Sequence, residues 1–192
     1  ALFTANGNSN VAVGYQAGRY ATANDGVWIG VGAGSTGAGA GQSVLVGHYA
    51  GQYMVGSEVT LIGQQAGRYA SGSRNTFVGG QAGKGGTTSA PYSSGQYNVA
   101  VGYAAFDAFT TGNLNVAVGY QALSAETIGV STVAIGDNAG AAQNFGSHGT
   151  TYNTLVGSAA GFWNVTGTGN TYIGSQAGVG VSGNSNNNNT GV

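Results

Sequence analysis

The chain has 192 residues with 4 Lys+Arg, 5 Asp+Glu and a formal net charge of −1, so no basic patch is available to neutralise phosphates and nucleic acid is not an expected partner. Gly accounts for 39 residues and Pro for one, against an ordinary Gly usage of roughly 7%, a balance that excludes collagen and proline-rich linkers. Cysteine is absent, which excludes disulfides and thiolate metal sites, and Gly interrupts every apolar run before it reaches the length of a membrane span.

In chain order, residues 1–9 read as a lead-in and the first element is expected at Val11–Val13. It lies within the stretch NVAVGYQA, Asn10 to Ala17. The same phrase returns as NTFVGGQA from Asn75, NVAVGYAA from Asn98, NVAVGYQA from Asn115 and NTYIGSQA from Asn170. Aligned on the Gly after the β-branched residue, the ten marker glycines are Gly14, Gly30, Gly47, Gly63, Gly79, Gly102, Gly119, Gly136, Gly157 and Gly174. Their spacings are 16, 17, 16, 16, 23, 17, 17, 21 and 17, a unit of 16 or 17 residues with two insertions. Internal repetition on this scale is the signature of a solenoid.

Each marker glycine is preceded by Val or Ile, and two residues earlier by Val or Thr, without exception. Two β-branched residues at period two predict a short strand in every unit, with almost no helix. Ala stands three residues after every marker glycine, from Ala17 to Ala177, where only a methyl group fits. A second Gly follows that Ala in eight units; Phe106 and Leu123 replace it in the others. Asn opens the strand at Asn10, Asn75, Asn98, Asn115, Asn153 and Asn170, a corner residue able to bond its neighbours as a ladder. The expected fold is an all-β parallel β-solenoid, a β-roll of about ten 16–17-residue coils over residues 10–180. At the inter-strand spacing, ten coils make a rod on the order of 48 Å long. Residues 181–192 read as a flexible polar tail.

If the Val/Ile positions fill the narrow coil, the residue between them faces outward. Trp28, Leu45, Leu61, Phe77, Leu155 and Tyr172 then form an exposed stripe, the expected interface of a homo-oligomer, a trimer by preference. The insertions are Lys84 to Tyr97, KGGTTSAPYSSGQY, and Ala141 to Tyr152, AAQNFGSHGTTY. Insertions in solenoids become surface loops, often on the binding face, and Tyr92, Tyr97, Phe145, His148 and Tyr152 are the candidate receptor contacts. Arg19-Tyr20, Gln52-Tyr53, Arg68-Tyr69 and Phe162-Trp163 share one place in their units, which reads either as packing between coils or as an aromatic ridge for sugar rings.

No catalytic, metal or cofactor site is expected. The histidines, His48 and His148, are far apart and the carboxylates Asp25, Glu58, Asp107, Glu126 and Asp137 fall in different units, against the paired groups that hydrolysis requires. Gly32 to Gly37 matches GxGxxG without the strand–helix context of a dinucleotide site. Asn164-Val165-Thr166 and Asn188-Asn189-Thr190 match the glycosylation acceptor, a weak signal in a chain this rich in Asn and Thr. An ice-binding array calls for outward Thr, whereas Thr60, Thr76, Thr154 and Thr171 alternate with Val in the column read as inner.

The pattern N-[VT]-x-[VI]-G-x-x-A resembles the head repeats of trimeric autotransporter adhesins, and GNLNVAVGYQAL, Gly112 to Leu123, resembles repeats of bacteriophage tail-fibre proteins. The resemblance spans Asn10 to Gly178. It implies a left-handed β-roll packed as a trimer, an extracellular setting on a virion tail fibre or bacterial surface, and a non-enzymatic rod that displays loops to a cell-surface glycan or protein. The units are longer than the shortest adhesin-head coils, and no coiled-coil stalk, anchor or self-cleaving chaperone region is evident. A self-assembling extracellular filament is the alternative.

Overall fold

The computed structural model describes residues 7–37, 39–146, 149–180 and 186–191. Ten three-residue strands stand where the alternation predicts them: β1 Val11–Val13, β2 Val27–Ile29, β3 Val44–Val46, β4 Thr60–Ile62, β5 Thr76–Val78, β6 Val99–Val101, β7 Val116–Val118, β8 Val133–Ile135, β9 Thr154–Val156 and β10 Thr171–Ile173. An eleventh, β11 Thr190–Gly191, follows. They form one parallel sheet in sequential order, each strand pairing with the equivalent residues of the next coil, so that Leu61 lies beside Leu45 and Phe77. There is no helix among the described residues. The fold is a β-solenoid of about ten turns.

A second ladder joins the coils at the Ala corner. Gly18 N–H donates to Ala33 O at 2.9 Å, and the same bond recurs at Gly34, Gly51, Gly67, Gly83, Phe106, Leu123, Gly140 and Gly161. The marker glycines occupy φ of 122–138°, a region closed to residues with a Cβ. A Cβ on Gly119 would also lie 2.3 Å from Gly136 O in the next coil. The Asn corner is a third ladder, buried inside the coil. Asn75, Asn98, Asn115, Asn153 and Asn170 each accept the backbone N–H of the next unit's equivalent residue on Oδ1, at 2.8–3.0 Å. Their amides donate to carbonyls such as Gly112 and Gly129. In a chain with few charges, these side chains satisfy backbone groups that the small cross-section would otherwise bury unpaired.

The orientation of the strands reverses the expectation from sequence. Trp28, Leu45, Leu61, Phe77, Ala100, Ala117, Ala134 and Leu155 are fully buried and Tyr172 nearly so, so this column fills the coil. The flanking Val, Ile and Thr positions face out, with Val13 56% and Ile62 40% exposed. The proposed interface of Trp28, Leu45, Leu61, Phe77, Leu155 and Tyr172 is therefore interior packing, and cannot cover a partner. The physical reason lies opposite the strand. A Cβ added at Gly34, Gly51, Gly67 or Gly83 would collide with Trp28, Leu45, Leu61 or Phe77, respectively. Where the strand residue shrinks to Ala100 or Ala117, the glycine is replaced by the buried Phe106 or Leu123. At these six coils the column and that corner exchange volume, whereas the space between Ala134 and Gly140 is filled by Leu123 and Leu155 from the adjacent coils.

The described part of the segment read as a flexible tail, residues 186–191, joins the solenoid. Residues 181–185 lie outside the described residues, but β11 pairs with β10 through Thr171 and Thr190, and Asn189 continues the Asn ladder on Asn170. Asn189-Thr190 repeats the strand opening of Asn153-Thr154 and Asn170-Thr171, a signal available in the sequence.

Candidate binding surfaces

The sheet's outer face is the most regular surface of the molecule. Two parallel columns of β-branched side chains run along it, one from Val11 to Thr171 and one from Val13 to Ile173, in register through ten strands. With three residues per strand, the face measures on the order of 48 Å by 10 Å. The corner after the marker glycine flanks it with the exposed Tyr15, His48, Tyr103 and Tyr120, and the rings of Tyr103 and Tyr120 stack at 5.9 Å. The corner before the strand places a residue in left-handed conformation in every coil, including Glu58, Arg74, Tyr97, Leu114 and Tyr152. Arg74 there bridges Glu58, at 3.2 Å, and the Tyr97 hydroxyl, at 2.8 Å, and these partners raise its pKa above the usual guanidinium value. This is the one ion pair among the described residues.

The candidate contacts from the two insertions do not meet on one surface. Tyr97 and Tyr152 share the corner before the strand, three coils apart. Tyr92 instead folds back onto coils three and four, with its ring 4.8 Å from Tyr53 and 6.3 Å from Tyr69, which stand 5.5 Å from each other. All three rings are near-parallel and half-buried. Arg68 lies over Tyr69 at 5.0 Å and over Tyr49 at 4.9 Å, and donates from Nε to Gln52 Oε1 at 2.9 Å. Ser93 pins the returning chain by an isolated bridge to Ala70, so Lys84–Tyr97 is part of the coil at its base and exposed at residues 88–91. His148 lies outside the described residues.

Phe145 belongs to a site that sequence reasoning missed. Glu126, fully buried, accepts the backbone N–H groups of Thr127, Ile128 and Gly129 on Oε1 at 2.8–3.2 Å. It also accepts Phe145 N–H at 3.3 Å and Gln143 Nε2 at 3.0 Å. Gln143 extends the network to Thr132 and Asn153, and the Thr132 and Thr151 hydroxyls bond each other. Glu126 and Gln143 sit seven residues after their marker glycines, where other coils bury Ala21, Met54, Ala70 and Phe109. Glu126, Gln143 and Asn164, three successive polar residues in a column that is otherwise small or apolar among the described coils, were the available signal. The carboxylate is enclosed by donors, and its chemistry here is to anchor the second insertion.

The remaining candidates offer less. Asp107, half-buried, has its pKa raised by desolvation, against the opposing effects of a backbone hydrogen bond and Lys84. In the GxGxxG stretch, Gly32 and Gly34 N–H are already spent on Tyr15 O and Ala50 O. Asn164 of the first acceptor motif is buried. A cleft of about 120 Å³ at the C-terminal end is lined by Trp163, Asn164, Tyr172, Gly178, Gly180 and Asn186, small beside the ~300 Å³ at which ligand pockets begin. Among the described residues no three His, Asp or Glu side chains gather to hold a metal ion, and no helix is long and apolar enough to cross a membrane. Searched against family models, curated proteins and solved structures, the chain matches none.

Proposed function

We propose that this chain is a non-enzymatic structural rod, an oligomeric segment of a phage tail fibre or bacterial surface adhesin that works outside the cell and presents its corners to a cell-surface receptor. The observation that carries this reading is the outer sheet face. A continuous strip of Val, Ile and Thr, half-buried to exposed with Val11, Val13, Ile29, Val44, Ile62, Val101, Ile135 and Ile173 the most open, is an apolar surface of a kind that soluble monomers rarely leave uncovered. Its plan area, roughly 500 Å² from the strand spacing and rise, is below the ~800 Å² that each partner gives to a standard interface. The flanking, exposed Tyr15, Tyr103 and Tyr120 extend the contact beyond the strip, and in a trimer the strip and its flanks meet one neighbour on each side.

The alternative is a self-assembling extracellular filament. Among the described residues β1 pairs only with β2 and β11 only with β10, and a strand with one partner offers its other edge to a neighbour. The low charge opposes neither assembly. Electron microscopy of the purified chain, with light scattering of the same sample, separates them. Discrete particles of three chains support the fibre segment, open polymers support the filament, and a monomer at micromolar concentration overturns both.

A further inference from the structure

We propose that the cluster of Tyr53, Tyr69, Tyr92 and Arg68 is a binding site for an acidic saccharide, a pyranose ring that carries a carboxylate. The assignment deepens the receptor-binding reading and rests on it only for its biological setting, since the site is complete within one chain.

Three tyrosine rings lie within 6.3 Å of one another, near-parallel and half-exposed. Core packing does not require them: the coil interior here is filled by Met54, Leu61 and Ala70. Two rings come from successive coils, whose stacking fixes their spacing, and the third is delivered by an insertion that the solenoid does not need. Tyrosine gives an apolar face for the C–H side of a sugar and a hydroxyl for its rim, with little side-chain entropy to lose.

Arg68 adds the charge preference. The Arg68 guanidinium carbon lies over the Tyr49 and Tyr69 rings, at 4.9 and 5.0 Å, and Gln52 takes Nε, while the described residues give it no ion pair. A guanidinium held over aromatic rings with only Nε engaged keeps its terminal N–H donors, which can receive a carboxylate with two parallel bonds. Holding it by three neighbours removes much of the entropic cost of binding. Lys84 stands at the equivalent position of the next coil, so two of the chain's four cations lie side by side at this corner. Arg74, by contrast, already has Glu58.

The test is calorimetric titration of the full chain with oligogalacturonate, with sialyllactose, and with methyl-esterified oligogalacturonate. At least one acid is expected to bind with Kd on the order of 1 mM or tighter, and the ester at least about tenfold more weakly. Arg68→Gln and Tyr92→Ala are each expected to weaken the acid by about tenfold or more, while Arg74→Gln, at a guanidinium already paired with Glu58, leaves it unchanged. Circular dichroism and elution volume verify folding, and Arg68→Gln carries the test if Tyr92→Ala fails to fold. Binding of neither acid, equal binding of the ester, or undiminished binding by Arg68→Gln overturns the assignment. Oligomeric state is measured on the same samples. A monomer that binds the acid sinks the trimeric rod and keeps the site; a trimer that binds neither does the reverse.

Discussion

Leu61 and Gly67 share one volume, and the same exchange holds at Trp28, Leu45, Phe77, Ala100 and Ala117, while Leu123 and Leu155 fill the space beside Gly140 and Ala134. A Cβ at Gly67 would lie 2.7 Å from Leu61 Cδ1, whereas Ala117 leaves room for Leu123 at the equivalent position, with φ of 50°. Leu61→Ala alone is expected to cost about 2–5 kcal/mol, and Gly67→Leu alone to destabilise through the clash and the left-handed backbone. The double variant Leu61→Ala, Gly67→Leu reproduces the arrangement at Ala117 and Leu123. It is expected to be more stable than the sum of the single changes by at least about 1 kcal/mol, measured by urea unfolding. Additivity would show that the two positions do not exchange volume. Asp107 makes a second residue-scale prediction. Desolvation raises its folded pKa above 3.8, so the folded chain holds the proton more tightly than the unfolded one. Stability therefore falls as pH rises from 3.8 through the raised value, and the deficit persists above it. Asp107→Asn is expected to gain about a few tenths of a kcal/mol near neutral pH, after allowance for solvent screening, and nothing below the carboxylate range. A gain that is equal at both ends of the pH scale would rule out the titration.

At the scale of the coil, the second insertion is held by a buried acid rather than by apolar packing. Removing Glu126 strands the N–H groups of Thr127, Ile128, Gly129 and Phe145 and leaves the Gln143 amide nitrogen with Thr132 as its acceptor. Glu126→Ala is expected to cost about 3 kcal/mol or more, with faster proteolysis around residues 144–150. An unchanged cleavage rate would show that the insertion stands without its anchor. This network escaped sequence reading because its members are distant until the coils stack; only the shared offset from the marker glycines relates Glu126 to Gln143. The strands were legible because Val-Ala-Val and its relatives offer no other period, and the position of every strand triplet followed from that alone. Which side of the strand faces in was not legible from alternation, since a three-residue strand has two apolar faces here. Val and Ile on one side and Trp28, Leu61 or Ala117 on the other are equally able to fill a narrow coil. The pairing of Ala100 with Phe106 and of Ala117 with Leu123 was the signal that decides it: compensation of volume occurs where side chains touch. The Tyr92 contact with Tyr53 and Tyr69 was beyond reach for a different reason, because the path of a 14-residue insertion is set by single bonds such as Ser71 N–H to Ser93 O.

For the whole molecule, inward Leu61 and outward Ile62 give adjacent residues opposite roles. Leu61→Asp places a charge in a dry interior with no partner, a cost of several kcal/mol that a coil of this width cannot absorb, and folding is expected to be lost. Ile62 and Val101 stand in one outer column, two strands apart, and each is more than a third exposed. In a single chain, aspartate at these positions meets water and costs little beyond strand propensity, about 1 kcal/mol or less. In a trimer closed over the sheet face, the same two charges are buried against a neighbouring copy, and symmetry repeats the penalty at every interface. The Ile62→Asp, Val101→Asp double variant is thus expected to keep the circular dichroism of a folded β-protein while its mass by light scattering drops to one chain. Retention of the parental mass by the folded double variant would place the interface elsewhere on the rod. Loss of folding along with assembly would mean that the coil has no stability apart from its partners, and a shift in the unfolding midpoint with protein concentration would identify that case directly.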